Sequence, residues 1–520
     1  MAILVRYIVV PMKIKTFAFV FFCTIAFCKT LAQNPQAGTP IDKSALCVIP
    51  GDFADPSVIL VNGIYYAVGT SSEWAPHYPL FKSTDMTEWK QIGYVFKQKP
   101  AWTSSSFWAP ELFYHEGRFM VYYTARRASD GVSCIGVATS NDPEKGFTDH
   151  GVLIETGKEA IDAFVFKDDD KLYVSWKAYG LDDRPIELLC STLSNDGLKL
   201  TGEVFSIFKD DARQGLEGQC IFKHDKYYYL LYSVGNCCGA SCSYLVNVAR
   251  STSMHGSFEN YSGNPVLMDD AVWKCPGHGT LVESKTKEWY YLYHAYRKSD
   301  NVFTGRQGML ASMHMKDGWP QFTRPELKIP VQQPNITDNF DKESIRWQWD
   351  FRHADPKITV KNNQLYLMGN VDTTTNKVGS VITVRPYYGS YDMTVHIKNT
   401  NSAFKGLTLY GDVSEAVGIG YNGQWLEVWE VKKNKRQILR RVTNHHMGAA
   451  IDLRLSVVNG SQIQFFYGLN NNWKRLVIDG IHFDGSFLPQ WDRSPRAGLY
   501  HSGRPEDEGC FSNFNLTYKQ

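Results

Sequence analysis

Asp162-Ala163-Phe164-Val165-Phe166, an acid leading into an apolar strand, is one of five stretches of this chain that can be laid over one another. The others are Asp55-Pro56-Ser57-Val58-Ile59, Ala109-Pro110-Glu111-Leu112-Phe113, Glu217-Gly218-Gln219-Cys220-Ile221 and His278-Gly279-Thr280-Leu281-Val282. Each continues through a polar turn into an aromatic-rich second strand, at Tyr65-Tyr66, Phe119-Met120, Leu172-Tyr173, Tyr227-Tyr228 and Trp289-Tyr290. The intervals between the starting residues are 54, 53, 55 and 61. A period near 50 built of short strands is the signature of a β-propeller, one unit per blade. The column that starts the repeat, Asp55, Ala109, Asp162, Glu217 and His278, is therefore expected to face the central axis.

Around this core the chain reads as all-β. Aromatic residues make up 14% of it, and runs rich in Tyr, Trp and Val bounded by Gly dominate over any helical period. The repeat spans about residues 41–330 and predicts a five-bladed propeller. A proline-bearing run, Arg324-Pro325 to Gln333-Pro334, reads as a linker. Beyond it, over residues 335–520, short alternating segments such as Gln364-Leu365-Tyr366-Leu367-Met368 and Gln462-Ile463-Gln464-Phe465-Phe466 predict a β-sandwich of jelly-roll type.

The first 32 residues carry Arg6, Lys13, Lys15 and Lys29 and no acid, with an apolar run from Thr16 to Phe27. That pattern predicts a signal peptide over residues 1–32 and a secreted or periplasmic protein. Phe27 is too bulky to precede a lipidated Cys28, so a lipoprotein anchor is not expected. Removing the four cations takes the formal charge from +2 to −2. A near-neutral chain has no electrostatic reason to seek nucleic acid, and no later segment is apolar enough to span a bilayer as a helix. Nine cysteines remain after Cys23 and Cys28. The Cys237-Cys238 and Cys242 cluster lacks a partner set for zinc and reads as a disulfide-tied loop.

Asp55, Asp162 and Glu217 are the chemically informative members of the column. Cleaving a glycosidic bond needs one protonated carboxyl on the leaving oxygen and one ionised carboxylate to activate water or attack the anomeric carbon. A third acid can tune the donor, because crowded like charges raise a neighbour's pKa. Three acids in one repeated column argue against each being an ordinary turn residue. Pro56 favours an extended backbone at Asp55, suited to orienting water, and Glu217 has the longer reach, with Gly215 and Gly218 leaving space beside it. Trp74, Trp108 and Phe107 lie where aromatic faces would stack on sugar rings or pack between blades.

At these positions the chain resembles glycoside hydrolase family 43, over roughly its first 290 mature residues. Asp55-Pro56-Ser57 is similar to the family's general-base motif and Trp108-Ala109-Pro110-Glu111 to its second-blade motif. Ile161-Asp162 sits at the pKa-modulating Asp and Glu217-Gly218 at the general acid. Ser83-Thr84-Asp85-Met86-Thr87-Glu88-Trp89 is similar to a blade turn. The resemblance implies an inverting enzyme with a polysaccharide or oligosaccharide substrate and no cofactor required for chemistry. It further implies that Arg306, in Gly305-Arg306-Gln307, reaches the substrate, and that His278 faces an axial calcium or a water cluster. The second domain looks like the concanavalin-like sandwich of β-xylosidase and arabinofuranosidase members, which implies release of terminal α-L-arabinofuranose or β-D-xylose. Endo-arabinanase and exo-β-1,3-galactanase activities share the motif set. A retaining fructan-cleaving propeller would need an Arg-Asp-Pro motif that the chain lacks, and a non-catalytic glycan-binding propeller would be expected to have lost one of the acids.

Overall fold

The computed structural model describes residues 45–519 apart from 157–158, 180–185, 211–214, 301, 328–334, 444–447, 471 and 479. The expected signal peptide and much of the expected linker lie outside the described residues. The regular structure described is nearly all strand, and it forms the expected five-bladed propeller followed by a β-sandwich.

The first blade is an antiparallel meander of Ser57–Val61, Ile64–Val68, His77–Ser83 and Lys90–Phe96. The second comprises Thr103–His115, Arg118–Arg127, Ser133–Ser140 and Thr148–Ile154, and the third Glu159–Asp168, Lys171–Tyr179, Ile186–Leu193 and Phe205–Asp210. Leu216–His224, Tyr227–Val234, Leu245–Ser251 and Glu259–Asn260 build the fourth. The fifth runs Trp273–Glu283, Trp289–Arg297 and Arg306–Lys316, and it is completed by Leu46–Ile49 from the start of the described chain, paired antiparallel with Leu46 opposite Leu310. This pairing closes the ring.

The innermost strand of each blade carries the same distortion. In blades two to five the ladder slips between Trp108 and Glu111, Ile161 and Phe164, Glu217 and Cys220, and Gly277 and Thr280. The residue two places before each resumed pairing is left-handed: Ala109 (φ 39°), Asp162 (57°), Gly218 (58°) and His278 (39°). Asp55 (51°), two before Ser57, is the first-blade equivalent. A bulge of this kind re-aims a side chain and ends regular pairing, and it turns these residues out of the blades. It also corrects the sequence alignment. The fourth member of the column is Gly218, and Glu217 lies one residue ahead of it, in register with Ile161 and Gly277.

Buried polar contacts behind the bulges tie neighbouring blades together. Ser57 Oγ donates to Glu111 Oε2 at 2.6 Å and accepts from the Leu112 N–H at 2.9 Å, while the Val165 N–H donates to Glu111 Oε1 at 3.5 Å. Burial pushes the Glu111 carboxyl up to about 8, against the hydrogen bonds that favour its charge.

The sandwich stacks a nine-stranded sheet on a six-stranded one around Leu407, Leu453, Leu455, Phe511 and Phe514. A two-stranded ribbon, Trp74–Ala75 with Trp349–Asp350, joins it to the first blade. Trp347 and Trp429 are buried in the sandwich interior, so they serve packing. Trp425 is half-buried beneath the Arg441 guanidinium.

Glu111 keeps its proton in the folded chain to a higher pH than in the unfolded one. Its stabilising contribution is complete below the ordinary Glu pKa and is lost as pH rises towards about 8. Glu111→Gln should therefore flatten the fall in melting temperature between pH 5 and pH 8. Identical pH dependence in variant and wild type, measured by calorimetry, would mean that Glu111 is ionised throughout.

Candidate active site

Asp55 is held from four sides. Arg306 Nη1 donates to its Oδ1 at 3.0 Å, Thr70 Oγ1 to its Oδ2 at 2.6 Å, and its own N–H donates to His294 Nδ1 at 3.1 Å. The His278 ring approaches Oδ1 at 3.6 Å. The Ala109 N–H in turn donates to Thr70 Oγ1 at 2.8 Å, so the second blade acts through its backbone where its column position has no acid. Burial works to raise the Asp55 proton affinity, but Arg306, His294 and His278 outweigh it and hold the carboxyl well below the usual range. Burial also pushes His294 down to about 4, leaving it neutral near pH 7.

Arg306 owes its position to the turn before it. Its N–H donates to Asp52 Oδ1 at 3.2 Å, and a Cβ on Gly305 (φ 74°) would stand 2.4 Å from that same oxygen. Only glycine lets the Asp52 carboxylate come so close.

Asp162 faces the same His278 ring at 3.7 Å and accepts from the Gly218 N–H at 3.1 Å. Burial pushes it up to about 6; His278 opposes the rise and the Glu217 charge adds to it. Glu217 accepts from Lys177 Nζ at 2.6 Å and from the Tyr244 hydroxyl at 3.0 Å. For Glu217 burial is again the largest effect, yet Lys177, His278 and Tyr244 together bring its proton affinity below the ordinary value. The Tyr244 ring stacks on the His294 ring at 5.7 Å, which links the supports of Glu217 and Asp55. The side chains of Asp55, Asp162 and Glu217 are 10%, 7% and 16% exposed, so each is inside the ring yet in touch with solvent.

Not every residue singled out from sequence joins this cluster. Trp74 is 2% exposed, with its ring under the Arg496 guanidinium at 4.2 Å and edge-on to Tyr410; it packs the domains together and offers no face to a sugar. Phe107 is fully buried, stacked on His77 at 3.9 Å between the first two blades. Arg306, by contrast, belongs to the cluster: 3% exposed, it spends its guanidinium on Asp55 and on the Asp492 carbonyl at 3.2 Å and so braces the carboxylate. Trp108 stays half-buried, its Nε1–H donating to Asp492 Oδ2 at 3.1 Å.

The donors near His278 do not fit a calcium held by side chains. Calcium takes six to eight oxygens, and among the described residues no group of three or more His, Cys, Asp or Glu is placed to hold an ion. The His278 ring lies between two carboxylates, 3.6 Å from Asp55 Oδ1 and 3.7 Å from Asp162 Oδ2.

Thr70, Lys177, Tyr244, His294 and Asp492 were not found from sequence. Lys177 left a signal, a cation beside fully buried Trp176 in the largely apolar interior of the strand Lys171–Tyr179. Asp492 left none, because the sandwich brings it in from far along the chain. The segment Trp491-Asp492-Arg493 reaches over the propeller mouth, touching Trp108, Arg306 and the backbone near Gly239. Gly239 adjoins the paired Cys237–Cys238, and Cys242 is bonded to Cys275. Two clefts of about 920 and 880 Å³ open between the first blade and the sandwich, but none of the three carboxylates lines either.

Fold and site together define a propeller with carboxylates gathered on its axis. Residues 46–320 match Glycosyl hydrolases family 43, and the chain belongs to that family. A xylan 1,3-beta-xylosidase from a Vibrio species is 26% identical over 56% of this chain and 59% of the relative. An extracellular endo-alpha-(1->5)-L-arabinanase of Bacillus subtilis is 26% identical over 52% of this chain and 87% of its own length. The chain thus aligns with little more than half the length of the xylosidase relative. The crystal structure of the GH43 BlXynB protein from Bacillus licheniformis superposes with a TM-score of 0.77 at 22% identity, covering 91% of this chain and 98% of that one. The shared fold therefore includes the sandwich.

A Cβ on Gly218 would lie 2.7 Å from His278 Cγ at a left-handed φ of 58°. Gly218→Ala should therefore destabilise the protein by more than about 1 kcal/mol in urea unfolding. Unchanged stability would show that the His278 ring can move aside freely.

Proposed function

We propose that the chain is a glycoside hydrolase that releases terminal α-L-arabinofuranose or β-D-xylose from plant polysaccharide by single displacement. One observation carries the reading: Asp55, paired with Arg306, and Asp162 stand 3.6 and 3.7 Å from one His278 ring, and Glu217 is held beside them by Lys177 and Tyr244. Asp55, held ionised by Arg306, suits the base that activates water; Glu217, which reaches the cavity beside Gly218, is the donor to the leaving oxygen although Lys177 and Tyr244 lower its proton affinity, and Asp162 is the acid that orients and tunes it. Arg306 keeps Asp55 charged, and Thr70 and the Ala109 N–H hold its orientation. Trp108 is the aromatic wall left with an open surface.

Exo action is favoured by the sandwich segment Trp491–Arg493, which crosses the mouth and leaves less room for a chain to pass through. The arabinanase relative matches only a propeller's length of this chain, and an endo-acting reading would need that segment to lie clear of the axis. The family membership and the xylosidase relative support hydrolysis and a pentose, respectively. Secretion into an oxidising compartment fits the Cys242–Cys275 bond. Among the described residues no helix is long and apolar enough to cross a membrane.

Glu217→Gln should lower turnover of a natural oligosaccharide ~10²–10⁴-fold while largely sparing an aryl glycoside with a very good leaving group. Asp55→Asn should be inactive on both. Equal rescue of the two variants by the activated substrate would reject this division of roles. NMR of the first product anomer tests the single displacement, which predicts inversion. Arg306→Gln removes the cation that holds Asp55 charged, so the acidic limb of kcat/KM should move to higher pH, by about 1 unit or more. An unmoved limb would detach Asp55 from the essential base.

A further inference from the structure

Among the described residues, Lys177 is the one cation whose side chain touches the proposed proton donor. It sits on the second strand of the third blade, opposite Ile161, and its ammonium crosses to the fourth blade to meet Glu217 Oε2 at 2.6 Å. Its side chain is 11% exposed and that of Glu217 16%, so the pair is shielded from the screening that weakens surface ion pairs. The groups facing Glu217 are Lys177 from the third blade, the Tyr244 hydroxyl from the fourth and the His278 ring from the fifth. Asp162 lies across the inner ring, and Asp55 stands beyond His278. Two of these contacts are hydrogen bonds to separate oxygens of Glu217, from Lys177 to Oε2 and from Tyr244 to Oε1, so the carboxyl is fixed as well as charged.

We propose that Lys177 is a positioning residue that aims the Glu217 carboxyl and sets the pH above which the enzyme can no longer donate a proton to the leaving group. The inference rests on Glu217 being the donor. A carboxylate that accepts from an ammonium at 2.6 Å must take up one proton to act as an acid, and the neighbouring cation makes that uptake harder. Tyr244 adds to the effect, whereas Asp162 and Asp55, as anions, work against it. The cation is thus the element that places the basic limb of kcat/KM on the acid side, since that limb reports the essential acid of the free enzyme. A lysine that stabilised the fold out of contact with the donor would leave this limb in place when replaced.

The test uses the full chain. Wild type, Lys177→Met, Lys177→Gln, Lys177→Arg and Glu217→Gln are compared by kcat/KM against pH on xylobiose or arabinobiose and on the matching 2,4-dinitrophenyl pentoside. The two neutral replacements should move the basic limb upward by about 1 pH unit or more on the disaccharide. Lys177→Arg should leave it near wild type, and the dinitrophenyl substrate should show no such shift, because its departure needs no acid. If Lys177→Met does not fold, Lys177→Gln, which keeps a donor without the charge, gives the same reading. A basic limb at its wild-type position in a folded neutral variant would overturn the proposal and leave Lys177 a structural partner. Wild-type turnover of the disaccharide by Glu217→Gln would instead remove Glu217 as donor, a failure distinct from that of Lys177.

Discussion

The site depends on one backbone constraint repeated five times, a left-handed residue two places before each inner ladder resumes. Regular strands alternate their side chains between the two faces of a blade, which would leave every acid packed against a neighbouring blade. In blades two to five the bulge breaks that alternation at Ala109, Asp162, Gly218 and His278, and Asp55, left-handed just ahead of the first-blade strand, takes the equivalent place. A non-glycine residue with positive φ costs on the order of 1–3 kcal/mol. That strain is distributed around the ring and is held by the blade packing behind it. In the fourth blade glycine removes most of it, and the missing side chain lets His278 move in close enough to lie between two carboxylates.

Electrostatics then differentiates acids that share nearly the same place in the repeat. Asp55 has a guanidinium on one oxygen and a hydroxyl on the other. Asp162 has a backbone N–H and a histidine ring but no direct cation, and Glu217 has an ammonium. Burying a charge is expensive unless it is paired and hydrogen-bonded, so each partner decides which acid can remain ionised. The charged and hydroxyl partners lie outside the repeated column: Lys177 on a second strand, Arg306 on the third strand of the fifth blade, and Thr70 and Tyr244 in loops.

That origin explains what could be read from the sequence. The repeat exposed the blade number, the axial column and the three acids, because spacing and strand pattern are local and recur. It misplaced Glu217 by one residue, since Glu217-Gly218 satisfies an acid-column alignment while the backbone puts the glycine at the bulge. Trp74 and Phe107 misled for a related reason. An aromatic next to a strand end reads alike whether it lines a cleft or receives another domain, and the ribbon formed with Trp349–Asp350 claims Trp74 for packing. Arg306 was found by its Gly-Arg context, but its task could be seen only once Asp52, Asp55 and Asp492 were placed around it.

The pairing of Leu46–Ile49 with the strand beginning at Arg306 has a consequence for how the molecule is made. The two partners are separated by nearly the whole propeller, so during synthesis the earliest strand must wait, unpaired, until the fifth blade has left the ribosome. Until then the growing array is an arc with two bare strand edges, the geometry most open to pairing with another chain. The hydrophobic Leu46-Cys47-Val48-Ile49 edge is therefore a nascent-chain hazard that the finished ring conceals. Deleting Leu46–Ile49 would return the propeller to the arc.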